Sequence, residues 1–307
     1  MAKHCVLAER SARQILKARV KALRAQIEPA RAEVCDGIHD MRVASRRVRV
    51  AVSEHAFLFP QARRRRFQRR VRRITRALGK ARELDVVIDV LQRLRKDFHG
   101  PPRYAVNHVV RRLRAERDQQ SRNVARGLGD LDTHKFDRRL LRLFEALSPT
   151  QDCYVKHAAR RLRRRYQNLA DHYDVWRKSG AEPDLHALRI EYKKLRYACE
   201  VYAALYGKAM TAFIERLKDT QTALGDWNDL RVLRGYIEQA ARDAPPRARE
   251  GMNGLLDAVD GRARGLLEQF ACGARTFFAP AERKKTRRLF VKQEARSCQK
   301  GAMLDAH

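Results

Sequence analysis

Cysteine is sparse and scattered in this chain. The six residues, at positions 5, 35, 153, 199, 272 and 298, include no C-x-x-C pair. That disfavours zinc and disulfide frameworks and fits free thiols in a reducing compartment. No apolar run approaches the roughly 20 residues that span a bilayer. The stretch Met1 to Arg10 holds no hydrophobic segment of signal-peptide length. The expectation is a soluble, cytoplasmic protein with no membrane insertion. Aromatic residues make up only 7%, and none are interleaved with bases into the stacking platform of a single-strand nucleic-acid binder. There is no G-x-x-x-x-G-K-[ST] loop and no sustained period-2 alternation, which argues against a P-loop enzyme and against a β-sheet. Fifteen glycines and nine prolines in 307 residues exclude a collagen-like or low-complexity chain.

Negative charge is the other shortage. Against 68 Lys+Arg there are 36 Asp+Glu, a formal net charge of +32. Such a surplus speaks about partners rather than fold. It asks for a polyanion: nucleic acid, an anionic membrane surface or a phosphate polymer. Arginine outnumbers lysine about threefold, which favours phosphate, because a planar guanidinium pairs two oxygens at once. Hydrophobic residues at 44% suffice for a buried core.

The prolines, at 29, 60, 101, 102, 149, 183, 245, 246 and 280, punctuate segments rich in Arg, Ala, Leu and Lys. Phe67, Val71, Ile74 and Leu78 form a helical seam. Ile214, Leu217, Gln221 and Leu224 form another with one polar interruption. This pattern predicts helices over 4–28, 36–58, 61–97, 103–127, 150–178, 184–206, 209–242 and 247–278, with a short one at 135–147. Residues 281–307 carry eight Lys/Arg with little periodicity and read as a basic tail, partly disordered.

The chain repeats itself. His39-Asp40-Met41-Arg42-Val43-Ala44-Ser45-Arg46-Arg47-Val48-Arg49 aligns with His186-Ala187-Leu188-Arg189-Ile190-Glu191-Tyr192-Lys193-Lys194-Leu195-Arg196 at an offset of 147. Upstream, Arg13 and Lys17 align with Arg160 and Arg164. Downstream, Leu78-Gly79-Lys80-Ala81-Arg82-Glu83-Leu84 aligns with Leu224-Gly225-Asp226-Trp227-Asn228-Asp229-Leu230, and Pro101-Pro102 with Pro245-Pro246. Landmarks in one order at nearly one offset indicate duplication. The expected fold is all-α: two pseudo-twofold-related four-helix bundles of long antiparallel helices, spanning 1–148 and 149–280.

The shared motif H-x-x-R-x-x-x-[RK]-x-x-R steps by 3, 4 and 3. His39, Arg42, Arg46 and Arg49 therefore fall within about 80° of one helix face, over a length of about 15 Å. His186, Arg189, Lys193 and Arg196 do the same in the second copy. Apolar Met41, Ala44, Val48 and Val52 take the opposite face. A solvated basic face is the plain alternative, but the i,i+4 like-charge pairs cost roughly 0.2–0.5 kcal/mol each. No acid interrupts either stripe. A stripe that occurs twice, headed by His both times, points to one shared anionic ligand. Nine Arg between positions 63 and 76, with no acid among them, flank the first stripe. Lys218 occupies the place of Arg72.

On these residues the chain resembles the conserved-histidine α-helical domain (CHAD) family. The two paired motifs, Tyr197 after Arg196, and the L-G-x-x-[RN]-[ED]-L segments at Leu78 and Leu224 carry the resemblance, over roughly residues 4–280. Glu83 stands where the family's first segment usually has Asp. The resemblance implies two helical bundles with basic residues lining a central groove or channel. It also implies binding of inorganic polyphosphate and association with polyphosphate granules and their proteins. Carried over by position, the ligand set is His39, Arg42, Arg46, Arg49, His186, Arg189, Lys193 and Arg196, with Arg13, Lys17, Arg160, Arg164, Arg72, Lys218 and Arg82 lining the same cavity. Arg82, beside Glu83 and near Asp85, is equally placed for an internal ion pair. No E-x-E-x-K signature of a fused triphosphate-tunnel domain is present, so a stand-alone binding module is expected.

Catalysis is not expected. Phosphoryl transfer needs Mg²⁺ held by carboxylates or a phosphate-cradling loop, and the motif places Arg where a second metal ligand would sit. No cofactor and no metal are expected. The competing reading is a nonspecific RNA- or DNA-binding protein, supported by the charge and the arginine runs. Some nonspecific nucleic-acid binding at low salt accompanies either reading.

Overall fold

The computed structural model describes residues 2–33, 36–129, 133–147 and 154–291. Among them there is no strand, so the all-α expectation holds. The helices are α1 (Ala2–Ala25), α2 (Ile27–Arg31), α3 (Gly37–Glu54), α4 (Gln61–Ala77), α5 (Gly79–Leu94), α6 (Gly100–Gly129) and α7 (Thr133–Glu145). After them come α8 (Tyr154–Ser179), α9 (Glu182–Tyr206), α10 (Lys208–Ala241), α11 (Pro246–Glu250) and α12 (Met252–Phe277). A last helix, α13, covers 280–291.

Proline and glycine set the boundaries. Pro60 caps α4, Pro183 stands in the first turn of α9, and Pro246 opens α11, positions where a missing N–H costs nothing. Gly207 joins α9 to α10 at φ +62°, a left-handed conformation that a Cβ would strain. At Gly251 a Cβ would stand 2.1 Å from the Pro101 carbonyl oxygen. Only glycine lets the α11–α12 junction press this closely on the start of α6, and that contact brings the two Pro-Pro landmarks to the same end of the molecule.

Two buried clusters hold the helices together. The larger gathers Leu16, Met41, Val48, Val71, Leu162, Leu188, Leu195 and Leu217, together with aromatic residues of α8, α9, α10 and α12. The smaller gathers Leu84, Leu91, Val106, Val109, Leu233, Ile237, Leu255 and Val259 from α5, α6, α10 and α12. Each core therefore draws on both halves of the chain, and α10 and α12 thread through both. The sequence repeat at 148/149 is not a boundary between cores. The reason is length: a 34-residue helix such as α10 runs about 51 Å, longer than one bundle needs.

Four expectations change, the first being that the helix expected over 4–28 divides at Gln26 into α1 and α2. The single helix expected over 61–97 breaks at Leu78, which ends α4 with φ −86°, ψ −2°. Arg42 explains the break. Its Nη1 donates to the Thr75 carbonyl at 3.0 Å, the acceptor that the Gly79 N–H would use in an unbroken helix. A Cβ on Gly79 would lie 3.3 Å from that nitrogen. The matching Leu224-Gly225 pair has nothing within 4 Å of its would-be Cβ, and α10 passes through it unbroken. The helix expected over 247–278 likewise divides at Gly251. Finally, the segment read as a tail from 281 starts as α13, packed on the body. Phe290 is fully buried against Tyr166 and Phe213, and Arg283 donates to both oxygens of Asp174 at 3.1 and 2.7 Å. The tail's lack of an 11-residue periodic window hid this short helix. Residues 292–307 of the expected tail, and the 150–153 start of the expected fifth helix, lie outside the described residues.

Candidate anion-binding site

Helices α3 and α9 carry the two stripes, and the fold packs these helices against each other. Arg46 is the hub. Its Nη1 lies 3.4 Å from the Tyr197 hydroxyl, and its guanidinium carbon is 5.8 Å from the centre of that ring. Arg196 stacks on the same ring at 4.6 Å. The charge of Arg46 presses on Arg42 and Arg49 along α3 and on Arg189 and Lys193 across the interface. Six cations, Arg42, Arg46, Arg49, Arg189, Lys193 and Arg196, thus share one half-buried region. The apolar faces behind them, from Met41 and Val48 to Leu188 and Leu195, are fully buried and hold the stripes in place.

The electrostatics record the crowding. Burial and then the neighbouring Arg189, Arg46 and Arg196 push the Lys193 amine down to about 7, with Asp229 opposing. Arg42, Arg49 and Arg189 are pushed below the ordinary arginine value, first by burial. The Arg189 Nε is buried and meets no acceptor among the described residues. His39 is half-buried, and burial followed by the charge of Arg82 pushes it below the ordinary histidine value. Arg82 therefore sits with His39 and Arg42 rather than in an internal ion pair. Asp85 is taken by Arg117 at 2.6 Å and Glu83 by the Tyr236 hydroxyl at 2.6 Å.

The other expected residues distribute unevenly. Arg72 is exposed on α4, close enough for its charge, with that of Arg76, to press on Arg49. His186 is exposed and lines a separate cavity of about 270 Å³ with Trp227, Asn228 and Arg231. Lys218 pairs with Glu215 of its own helix at 2.7 Å. Arg13 turns to α7, donating to the Phe144 carbonyl at 2.9 Å. Lys17 is exposed on α1. Arg160 is exposed and acts on His157, and Arg164 faces a cavity beside Arg287 of α13. The expectation that Arg13 and Arg164 line the cavity of the stripes is thus corrected: one turns to α7 and the other faces α13. Their matched i,i+4 spacing reported the repeat, not a shared destination.

Sequence reasoning missed several members. Gln221, the polar interruption in the α10 seam, accepts from Arg196 Nε at 3.0 Å; a polar residue in an apolar seam was the available signal. Glu200 lies four residues beyond Arg196 on the same face. It pairs with Arg196 at 3.5 Å and with Arg47 of α3 at 3.0 Å, tying the two stripe helices together. Acids also arrive from other helices. Asp229 faces Arg189 and Lys193, and Glu83 faces Arg42. Spacing along one helix is blind to what the next helix presents, so these acids were not visible in the stripes themselves. No cluster of three or more His, Cys, Asp or Glu able to hold a metal exists among the described residues. No described helix is long and apolar enough to cross a membrane.

Comparison with known proteins follows the same outline. The family model for the CHAD domain matches residues 14–238. Among solved structures, PptA from Streptomyces chartreusis superposes with a TM-score of 0.68 at 15% identity, covering 87% of this chain and 99% of its own. The CHAD domain from the plant Ricinus communis superposes with a TM-score of 0.59 at 20% identity, covering 92% of this chain and 91% of its own. No match was found among curated proteins.

Proposed function

The chain belongs to the CHAD domain family, and from that premise we propose that it binds inorganic polyphosphate without transforming it, and is thereby recruited to polyphosphate granules. The convergence of both stripes on Arg46 carries this reading. Six cations are held together with only scattered carboxylates to offset them, and one of them, Lys193, is pushed down to about 7 by burial and by its neighbouring arginines, against the pull of Asp229. A thin, flexible chain bearing one negative charge on each unit relieves the whole set at once. Arginine supplies paired donors to phosphate oxygens, and the Arg189 Nε has its donor unused. His39, near-neutral in the free protein, donates from its ring or gains charge when an anion approaches. Nothing in the cluster supplies the metal-holding carboxylate set that phosphoryl transfer requires.

Competition tests the reading. Labelled long polyphosphate is displaced with unlabelled polyphosphate, RNA and duplex DNA at physiological salt. Displacement by polyphosphate at far lower phosphate equivalents is expected; stronger displacement by nucleic acid reverses the assignment. One shared site also predicts that Arg46→Ala and Arg189→Ala each weaken binding at unchanged stoichiometry, read by calorimetry. Release of orthophosphate by the wild type, lost in His39→Ala, would show an enzyme instead.

A further inference from the structure

The stripe of α3 does not end at Arg49. On α4 the residues Arg65, Arg69, Arg72 and Arg76 step by 4, 3 and 4, so they occupy about 60° of one face and about 16 Å of helix. All four are exposed. Helix α4 contains no acid, and no carboxylate among the described residues pairs with any of the four. The row adjoins the site: Arg72 and Arg76 press on Arg49, and Gln68 of α4 donates to the Arg49 carbonyl at 3.5 Å. Because α3 and α4 form a hairpin, Arg69 and Arg65 continue outward from Arg49 toward the 55–60 turn.

The matching face of α10 has no such row. At the matching offset of 146, α10 carries Thr211, Glu215, Lys218 and Thr222, and its one cation is paired with its one acid. A repeat that preserves its stripes but loads one flanking helix with arginine has become asymmetric. Four adjacent guanidinium groups cost helix stability through like-charge spacing, a cost that a bound polyanion offsets.

We infer that Arg65, Arg69, Arg72 and Arg76 form an exit track, along which a polyphosphate chain seated on the stripes leaves the site on the α4 side only. This rests on the polyphosphate reading above. Its consequence is selectivity for length: a chain no longer than the stripe's span of about 15 Å fills the stripes alone, whereas a longer chain also engages α4.

The test uses the full chain and two probes, a short polyphosphate within that span and one several times longer. Arg65→Gln with Arg69→Gln keeps helix propensity and touches no residue of the stripes. A control, Arg103→Gln with Arg247→Gln, removes the same charge at the exposed ends of α6 and α11. The track predicts that the α4 pair binds the long chain roughly tenfold more weakly, the middle of the range for two exposed ion pairs. Its log–log salt slope falls by about 1.4, taking single strands as the guide. Short-chain affinity and the control stay unchanged. Unchanged long-chain affinity in the α4 pair overturns the track and leaves the polyphosphate reading intact. Equal weakening of both probes, or equal weakening in the control, overturns it as a general charge effect. A wild type that binds neither probe removes the reading itself, and the track with it.

Discussion

Lys193 makes the binding of a polyanion visible as a proton count. In the free protein its amine sits at about 7 instead of the ordinary 10.5, because it is buried among Arg189, Arg46 and Arg196. A phosphate oxygen placed there restores the counter-charge and returns the amine toward its ordinary value. At pH 8 the free site is about one-tenth protonated and the bound site almost fully so, an uptake of roughly 0.9 proton per chain bound. The same coupling sets the affinity. Between pH 7 and 9 the protonated fraction of the free site falls about 50-fold, and affinity falls with it. Below about pH 6 the lysine is already charged and its contribution levels off. Calorimetry at pH 8 in buffers of different ionisation enthalpy reads the uptake as a slope. Long polyphosphate keeps the chain-end phosphates, which titrate near neutrality, a minor part of the signal. His39, below the ordinary histidine value, is neutral in the free protein at this pH. Lys193→Arg supplies a charge that does not titrate in this range, so its uptake falls to near zero and its affinity becomes flat with pH. Absence of uptake in the wild type, or equal uptake in Lys193→Arg, refutes the crowded-lysine argument.

The same group shapes the stability of the free protein. Its folded value lies below its unfolded one, so the unfolded state binds more protons between about 7 and 10.5 and stability rises with pH there. The full effect is on the order of 5 kcal/mol; thermal melts from pH 7.5 to 9.5 should show part of this rise in wild type and its loss in Lys193→Met. Glu54 is buried and accepts from Arg161 at 3.0 and 3.1 Å and from Arg165 at 3.0 Å. Although burial opposes ionisation, these partners hold its carboxyl below the ordinary value. Its contribution is present above the unfolded value and lost as pH falls through the folded one. Glu54→Gln removes the buried charge that two half-buried guanidinium groups share and should cost about 3 kcal/mol in urea denaturation. Phe290→Ala should cost about 3–5 kcal/mol and expose the chain before α13 to limited proteolysis; an unchanged digestion pattern would mean that α13 does not depend on this anchor.

Much of the molecule was legible in the sequence, for local reasons. Proline cannot continue a helix ladder, so its positions marked where helices start. A 3-4-3 spacing must lie on one face, so the stripes of His39–Arg49 and His186–Arg196 were visible before any fold was known, and with them the family. Covalent spacing alone determines these things. What depends on a second helix was not legible. Whether Arg42 points to a ligand or into the α4–α5 junction, whether Arg13 and Arg164 join the stripes or turn to α7 and α13, and which acids reach Arg189 are all decided by packing between residues far apart in the chain. The two cores divide across the repeat rather than along it, because α10 and α12 are longer than one bundle. Burial decided the state of Lys193: one residue among 68 Lys and Arg in the sequence, it becomes distinct only when the fold removes its water and surrounds it with arginine.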